Sequence, residues 1–184
     1  MKRSIQLLTL LLGVLLSTSA MAQADLGLKA IGGAIGFVSP ENVDGTFQFG
    51  AFADLGTVAP KFRLEPRIDF WSKSQEEFGA KATINDLTFG VRTKYMFEVQ
   101  DPRFQPYAGA GLGLHFIHGE VNIPAGGGFP AMTVSDSQTK LGLDLGGGLQ
   151  MPVNPMTNVM AEAWYGFVSD VNQFSLRLGI SRRM

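Results

Sequence analysis

The sequence predicts an all-β fold: an eight-stranded antiparallel up-and-down transmembrane β-barrel that follows a cleaved signal peptide. Three observations predict it. Eight segments of about ten residues each alternate apolar and polar side chains, the period of a strand with two different faces. No segment after residue 22 combines the length and apolarity of a membrane helix, and no convincing amphipathic helix occurs. The connections between the eight segments alternate between compact turns and longer polar loops, as the two rims of a membrane barrel do.

The first element is the leader. Lys2 and Arg3 precede an apolar run from Ile5 to Leu16, and Ala20-Met21-Ala22 closes it. The run is about 12 residues long, short of the roughly 20 that a spanning helix needs. A basic start, a short apolar run and small residues at the end predict a secretory signal peptide over 1–22. Residues 23–184 are then expected to form a single barrel domain outside the cytoplasm.

The strands follow in order. Segment 28–38 sets Leu28, Ala30, Gly32, Ala34 and Gly36 against Lys29, Ile31, Gly33, Ile35 and Phe37, the weakest contrast of the eight. Segment 46–55 sets Phe47, Phe49, Ala51, Ala53 and Leu55 against Gln48, Gly50, Phe52 and Asp54. FRLEPRIDFW (62–71) has the sharpest contrast: Phe62, Leu64, Ile68 and Phe70 on one face, Arg63, Glu65, Arg67 and Asp69 on the other. Segment 86–97 separates Leu87, Phe89, Val91, Tyr95 and Phe97 from Asp86, Thr88, Arg92 and Lys94. Segment 107–116 separates Ala108, Ala110, Leu112, Leu114 and Phe116 from Tyr107, three glycines and His115. Segment 140–151 places Leu141, Leu143, Leu145, Leu149 and Met151 opposite Lys140, Gly142, Asp144, Gly148 and Gln150. In 158–167, Val159, Ala161, Ala163, Tyr165 and Phe167 oppose Met160, Glu162 and Trp164. In 174–181, Phe174, Leu176, Leu178 and Ile180 oppose Ser175, Arg177 and Gly179.

Between them, VAP (58–60), QDPRFQP (100–106) and PVNP (152–155) are compact and contain proline. Segments 39–45, 72–83 and 119–138 are polar or glycine-rich and are expected to be the longer loops of the other rim, with 169–173 a short fourth.

Alternation alone does not say which face points out, because a soluble lipocalin-like barrel alternates too, with its apolar face inside. The polar face here is rich in glycine, notably Gly109, Gly111, Gly113, Gly142, Gly146, Gly148 and Gly179. A soluble exterior would carry Lys, Glu, Thr and Gln there, whereas a narrow eight-stranded interior needs small residues beside its large ones. Phe47, Phe70, Phe116, Phe167 and Phe174 fall toward one rim, and Phe62, Tyr95 and Phe97 toward the other, as two aromatic girdles around an aliphatic belt. The apolar face is therefore expected to meet lipid. The lumen is expected to hold six cations (Arg63, Arg67, Arg92, Lys94, Lys140, Arg177), six anions (Asp54, Glu65, Asp69, Asp86, Asp144, Glu162) and His115. Buried charges persist only when paired, so an even set predicts a salt-bridged plug rather than a pore. Pro66 removes a ladder hydrogen bond, and a bulge is expected beside it.

Composition excludes several classes. Cysteine is absent, which removes disulfides, thiolate metal sites and thiol nucleophiles. The net charge is −1 with no block of like charge, so no nucleic-acid partner is expected. GAGLG and GGG lack the following helix that a phosphate loop requires.

FQPYAGAGLGLHF (104–116), FRLEPRIDFW and FSLRLGIS (174–181) resemble the small outer-membrane β-barrel family of Gram-negative bacteria, the eight-stranded OmpA/OmpX-like domains. The resemblance covers the chain after the leader. It implies residence in the outer membrane, contact with outer-membrane lipids, insertion by the barrel machinery and variable chemistry in the loops. The family's aromatic C-terminal residue is replaced by Arg182-Arg183-Met184. Some similar barrels modify lipid A with a His, a Ser and an acidic residue. The corresponding candidates here are His115, His118, Glu120, Ser135 and Ser137, without a His-x-Ser spacing. Zinc binding by His115 and His118 with Glu120 would need the strand to end in a turn. The reading reached is a monomeric outer-membrane barrel with a structural or surface-interaction role. It has no enzymatic activity and no cofactor, and a surface partner is held by the loops. A soluble periplasmic ligand-binding barrel and a lipid A-modifying barrel enzyme are the alternatives.

Overall fold

The computed structural model describes residues 24–184 apart from 78, 102, 126–129 and 170, so the signal peptide expected over 1–22 lies outside the described residues. Eight strands follow one another: β1 (Asp25–Pro40), β2 (Thr46–Ala59), β3 (Phe62–Glu77), β4 (Ala80–Met96), β5 (Gln105–Ile123), β6 (Met132–Asn154), β7 (Thr157–Val168) and β8 (Gln173–Arg183). Each pairs antiparallel with its neighbours in sequence, and β1 pairs with β8 from Ala30↔Arg183 to Pro40↔Gln173, so the sheet closes on itself. Closure removes both edges of the spanning sheet, the condition for a sheet to survive in lipid.

Side-chain parity then sorts the residues. Leu112, Leu114, Leu141, Leu143, Leu145, Leu176 and Leu178 lie exposed on the outside, while Asp144, next to Leu143, is buried at 3% exposure. Ile31, Ile35 and Phe37 of β1 face out, and Ala30, Ala34 and Val38 face in, which resolves the ambiguous first strand. The apolar face is outside, the reverse of a lipocalin-like barrel. All eight aromatic residues expected at the girdles have the outward parity, and Phe62, Tyr95 and Phe97 stack edge to face at 5.1 and 5.0 Å between centroids.

The bulge expected at Pro66 is displaced onto the neighbouring strand. The β3–β4 register runs through Pro66↔Val91 unbroken, while β2 gains a residue between Phe52 and Thr57, opposite Arg67 and Arg63. Proline withholds its hydrogen bond from only one side, and the β2 side absorbs the loss.

Two expected loops are mostly strand. β3 runs on to Glu77 and β4 starts at Ala80, and β5 and β6 stay paired up to Ile123↔Met132, which leaves only 124–131 between them. The reason lies in the solvent. Beyond Phe116↔Thr139 the outward residues become His118, Glu120 and Asn122 facing Ser137, Ser135 and Thr133, while the inward pairs become Val121↔Val134 and Ile123↔Met132. The apolar–polar contrast inverts where the sheet leaves the bilayer. A strand in water keeps its ladder but no longer needs a greasy outer face, so its composition resembles a loop.

At the opposite rim the β2–β3 and β6–β7 turns are tight, and the β4–β5 turn, 97–104, is longer. Lys61 adopts φ 69° between β2 and β3. In the β4–β5 turn the side chain and N–H of Arg103 donate to Asp101 at 2.7–3.1 Å, which holds the Asp101 carboxyl below the ordinary carboxylate range.

Candidate functional site: the barrel lumen

The inward residues of consecutive strands form layers across a narrow bore. At the turn-side rim, Arg63 pairs with Asp54 at 2.6 Å, both partly exposed. Next, Lys94 Nζ bridges Glu65 at 2.5 Å and Glu162 at 2.8 Å, and the Tyr107 hydroxyl donates to Glu162 at 2.5 Å. Phe52, Ala34 and Met160 fill the apolar side of this region. In the middle, Arg67 contacts both Asp69 and Asp144, Arg92 Nε lies 3.5 Å from Asp144, and Arg177 reaches Asp69 at 3.0 Å and Glu162 at 3.5 Å. The Arg92 guanidinium stacks 3.9 Å from the centroid of Trp164, itself 1% exposed.

Toward the hairpin end, His115 Nδ1 lies 2.8 Å from Asp86 Oδ2 and 2.9 Å from Thr88 Oγ1. Trp71, Val38, Ile117 and Val168 are buried toward this end of the bore, and Trp71 Nε1 donates across it to Gln173 Oε1 at 3.1 Å. Lys140 has the lumen parity but sits at the mouth, donating to the Ser169 carbonyl at 2.9 Å.

Strand geometry explains why this set fits. Glycine stands at several points where a large inward side chain crosses a neighbouring strand. A Cβ at Gly142 would lie 2.7 Å from His115 Nε2, and one at Gly146 would lie 2.8 Å from the Trp164 ring. The electrostatics balance almost fully. Deep in the bore, among the described residues, Arg67, Arg92, Lys94 and Arg177 face Glu65, Asp69, Asp144 and Glu162, and the remaining carboxylate, Asp86, is paired with His115. Each long cation spans between strands distant in sequence, as Arg67 of β3 does to Asp144 of β6.

Of the thirteen charged or titratable residues singled out for the lumen, ten lie in the buried network, Asp54 and Arg63 close its rim, and Lys140 marks its mouth. Tyr107, Thr88, Trp71 and Trp164 complete it. They were visible as inward-parity residues but carry no charge to single them out. His115 and His118 do not converge, because His115 points into the bore and His118 points outward. His118 Nδ1 lies 2.8 Å from Ser137 Oγ on the outer surface of the β5–β6 hairpin. Glu120 instead accepts from Asn122 at 2.6 Å. Among the described residues no group of three or more metal-ligating side chains occurs.

A family model described as "Outer membrane protein beta-barrel domain" matches residues 8–183. Among solved structures, Neisserial surface protein A (NspA) superposes with a TM-score of 0.65 at 17% identity, over 84% of this chain and 96% of that one. A major outer membrane protein from Thermus thermophilus gives 0.62 at 13% identity, over 86% and 100%. Ail, the attachment invasion locus protein of Yersinia pestis, solved in complex with the heparin analogue sucrose octasulfate, gives 0.55 at 18% identity, over 85% and 97%. At these identities the likeness shows a shared fold. No curated protein matches.

Proposed function

Because this chain belongs to the family of outer membrane protein β-barrel domains and resides in the outer membrane, we propose that it is a closed, monomeric barrel that presents its long hairpins to a partner outside the cell. The observation that carries this reading is the packed lumen. Four buried cations are matched by carboxylates at the core of the bore, with Trp71 and Trp164 among the least exposed residues of the molecule. An eight-stranded interior is just wide enough for side chains to fill. The tight turns then face the periplasm and the β3–β4 and β5–β6 hairpins face outward, as in barrels of this kind. Residues 1–22 are removed on export, and the barrel machinery inserts the remainder.

The reading includes no turnover. The Ser137–His118 pair lacks an acidic residue oriented onto the imidazole, since Glu120 bonds Asn122. NspA is named a surface protein and Ail an attachment protein; those names agree with an interaction role here. Proteoliposomes containing the purified barrel, placed in an isotonic pentose solution, should swell no faster than empty liposomes. Swelling in proportion to the protein incorporated would contradict the closed lumen.

A further inference from the structure

The packed network does not fill the bore to its turn-side end. Between the Lys94 layer and the turns, inward residues enclose a cavity of about 360 Å³. Phe52, Glu65 and Met160 line its inner end, and the Asp54–Arg63 pair, Lys29 and Arg183 line it toward the rim. Its wall also carries three neutral polar side chains on adjacent strands: Gln150 of β6, Asn158 of β7 and Ser181 of β8. They are 8%, 3% and 4% exposed, and Asn158↔Ser181 are cross-strand partners.

Buried polar groups are nearly always hydrogen-bonded. Among the described residues, neither the Gln150 amide nor the Ser181 hydroxyl has a protein partner, although both line the cavity. Arg183 donates to Asn158 Oδ1 at 2.9 Å. A guanidinium can only donate, so this bond fixes the amide orientation and leaves the Asn158 Nδ2 donor without a protein acceptor. The charges around these groups are already committed. Arg63 meets Asp54 Oδ2 at 2.6 Å, the Gly56 N–H donates to Asp54 Oδ1 at 2.8 Å, Lys29 donates to Asp25 at 2.7 Å, and Lys94 holds Glu65 at 2.5 Å. A charged ligand would have to break one of these pairs to be matched at depth. An uncharged ligand leaves them intact.

We propose that this cavity binds a neutral acetamido sugar, one N-acetylhexosamine unit. An acetamido group presents an acceptor, a donor and a methyl in one plane. Its carbonyl accepts from Asn158 Nδ2, its N–H donates to Gln150 Oε1, and its methyl packs against Met160 and Phe52. A ring hydroxyl, both donor and acceptor, complements the Ser181 hydroxyl. The volume lies at the small end of ligand cavities, roughly 300–1,000 Å³, and so admits one ring rather than a long chain. An acyl chain would bury the unpartnered amides without satisfying them. The proposal goes beyond the reading of a closed surface-interaction barrel and takes from it only the side of entry: with the turns toward the periplasm, the sugar arrives from there.

The test titrates methyl N-acetyl-β-glucosaminide into the intact barrel in lipid nanodiscs, followed by saturation-transfer NMR. Binding should be saturable with a dissociation constant of roughly 1 mM or tighter, and the acetyl methyl should receive the strongest transfer. Methyl β-glucoside lacks the acetamido group and N-acetylglycinamide lacks the ring, so each should bind about tenfold more weakly or worse. Asn158→Asp keeps an acceptor for Arg183 but removes the Nδ2 donor, and Gln150→Met removes the second amide at similar volume. Each should weaken binding about tenfold, while His118→Gln on the outer surface leaves it unchanged. The gel shift between unboiled and boiled samples reports that each variant forms the barrel, and where one does not, the other decides. Absence of saturable binding, equal affinity for either comparison compound, or undiminished binding by a folded Asn158→Asp or Gln150→Met variant overturns the proposal. Nanodiscs leave both rims open, so the result does not depend on which rim faces the periplasm, and pentose flux is measured separately.

Discussion

Replacing Glu162 with leucine should cost the folded barrel about 3–5 kcal/mol, the loss expected when one partner of a buried ion network is removed. Glu162 accepts from Lys94 and Tyr107 and lies beside Arg177, and its side chain is 1% exposed. Leucine fills much of the space but leaves those donors facing hydrocarbon. Lys94 keeps Glu65 and Arg177 keeps Asp69, so the barrel should still form in lipid vesicles, with a lower urea midpoint. Glu162→Gln retains an acceptor and should lose less. A loss below about 1 kcal/mol for the leucine variant, the range of solvent-exposed pairs, would mean that water already screens the network.

Leu143→Arg should cost roughly 2–4 kcal/mol if residue 143 lies near the bilayer midplane, where an outward cation is most expensive. Leu143 is outward, between Leu112 of β5 and Phe167 of β7. Folding yield into vesicles, followed by the gel shift between unboiled and boiled samples, should fall sharply. Leu143→Ala should have a smaller effect, because lipid fills the space that a core would leave empty. Equal yields for the arginine and wild-type chains would place 143 away from lipid and contradict the facing of every strand in register with β6.

That dependence on parity explains what the sequence makes legible. Once FRLEPRIDFW shows which face is ionic, strand alternation assigns Arg63, Glu65, Arg67 and Asp69 together, and a one-residue slip would turn all of them to lipid. The same alternation in β4, β6 and β8 marks Arg92, Lys94, Asp144 and Arg177. Partner choice is not legible this way. Whether Arg67 meets Asp144 depends on the diameter and stagger of the closed barrel, which no local pattern encodes. The stacking of Arg92 on Trp164 is hidden for the same reason. The extensions of β5 and β6 escaped because their outward residues Glu120, Asn122, Thr133 and Ser135 meet water, where the membrane's demand for an apolar face ends. Composition reports the solvent there rather than the backbone.

The central claim is that paired side chains close the lumen, and planar-bilayer recording of the purified intact barrel tests it most directly. The account predicts no steady conductance above the bare bilayer at moderate voltage and physiological salt. A stable ohmic channel in every inserted copy would contradict it.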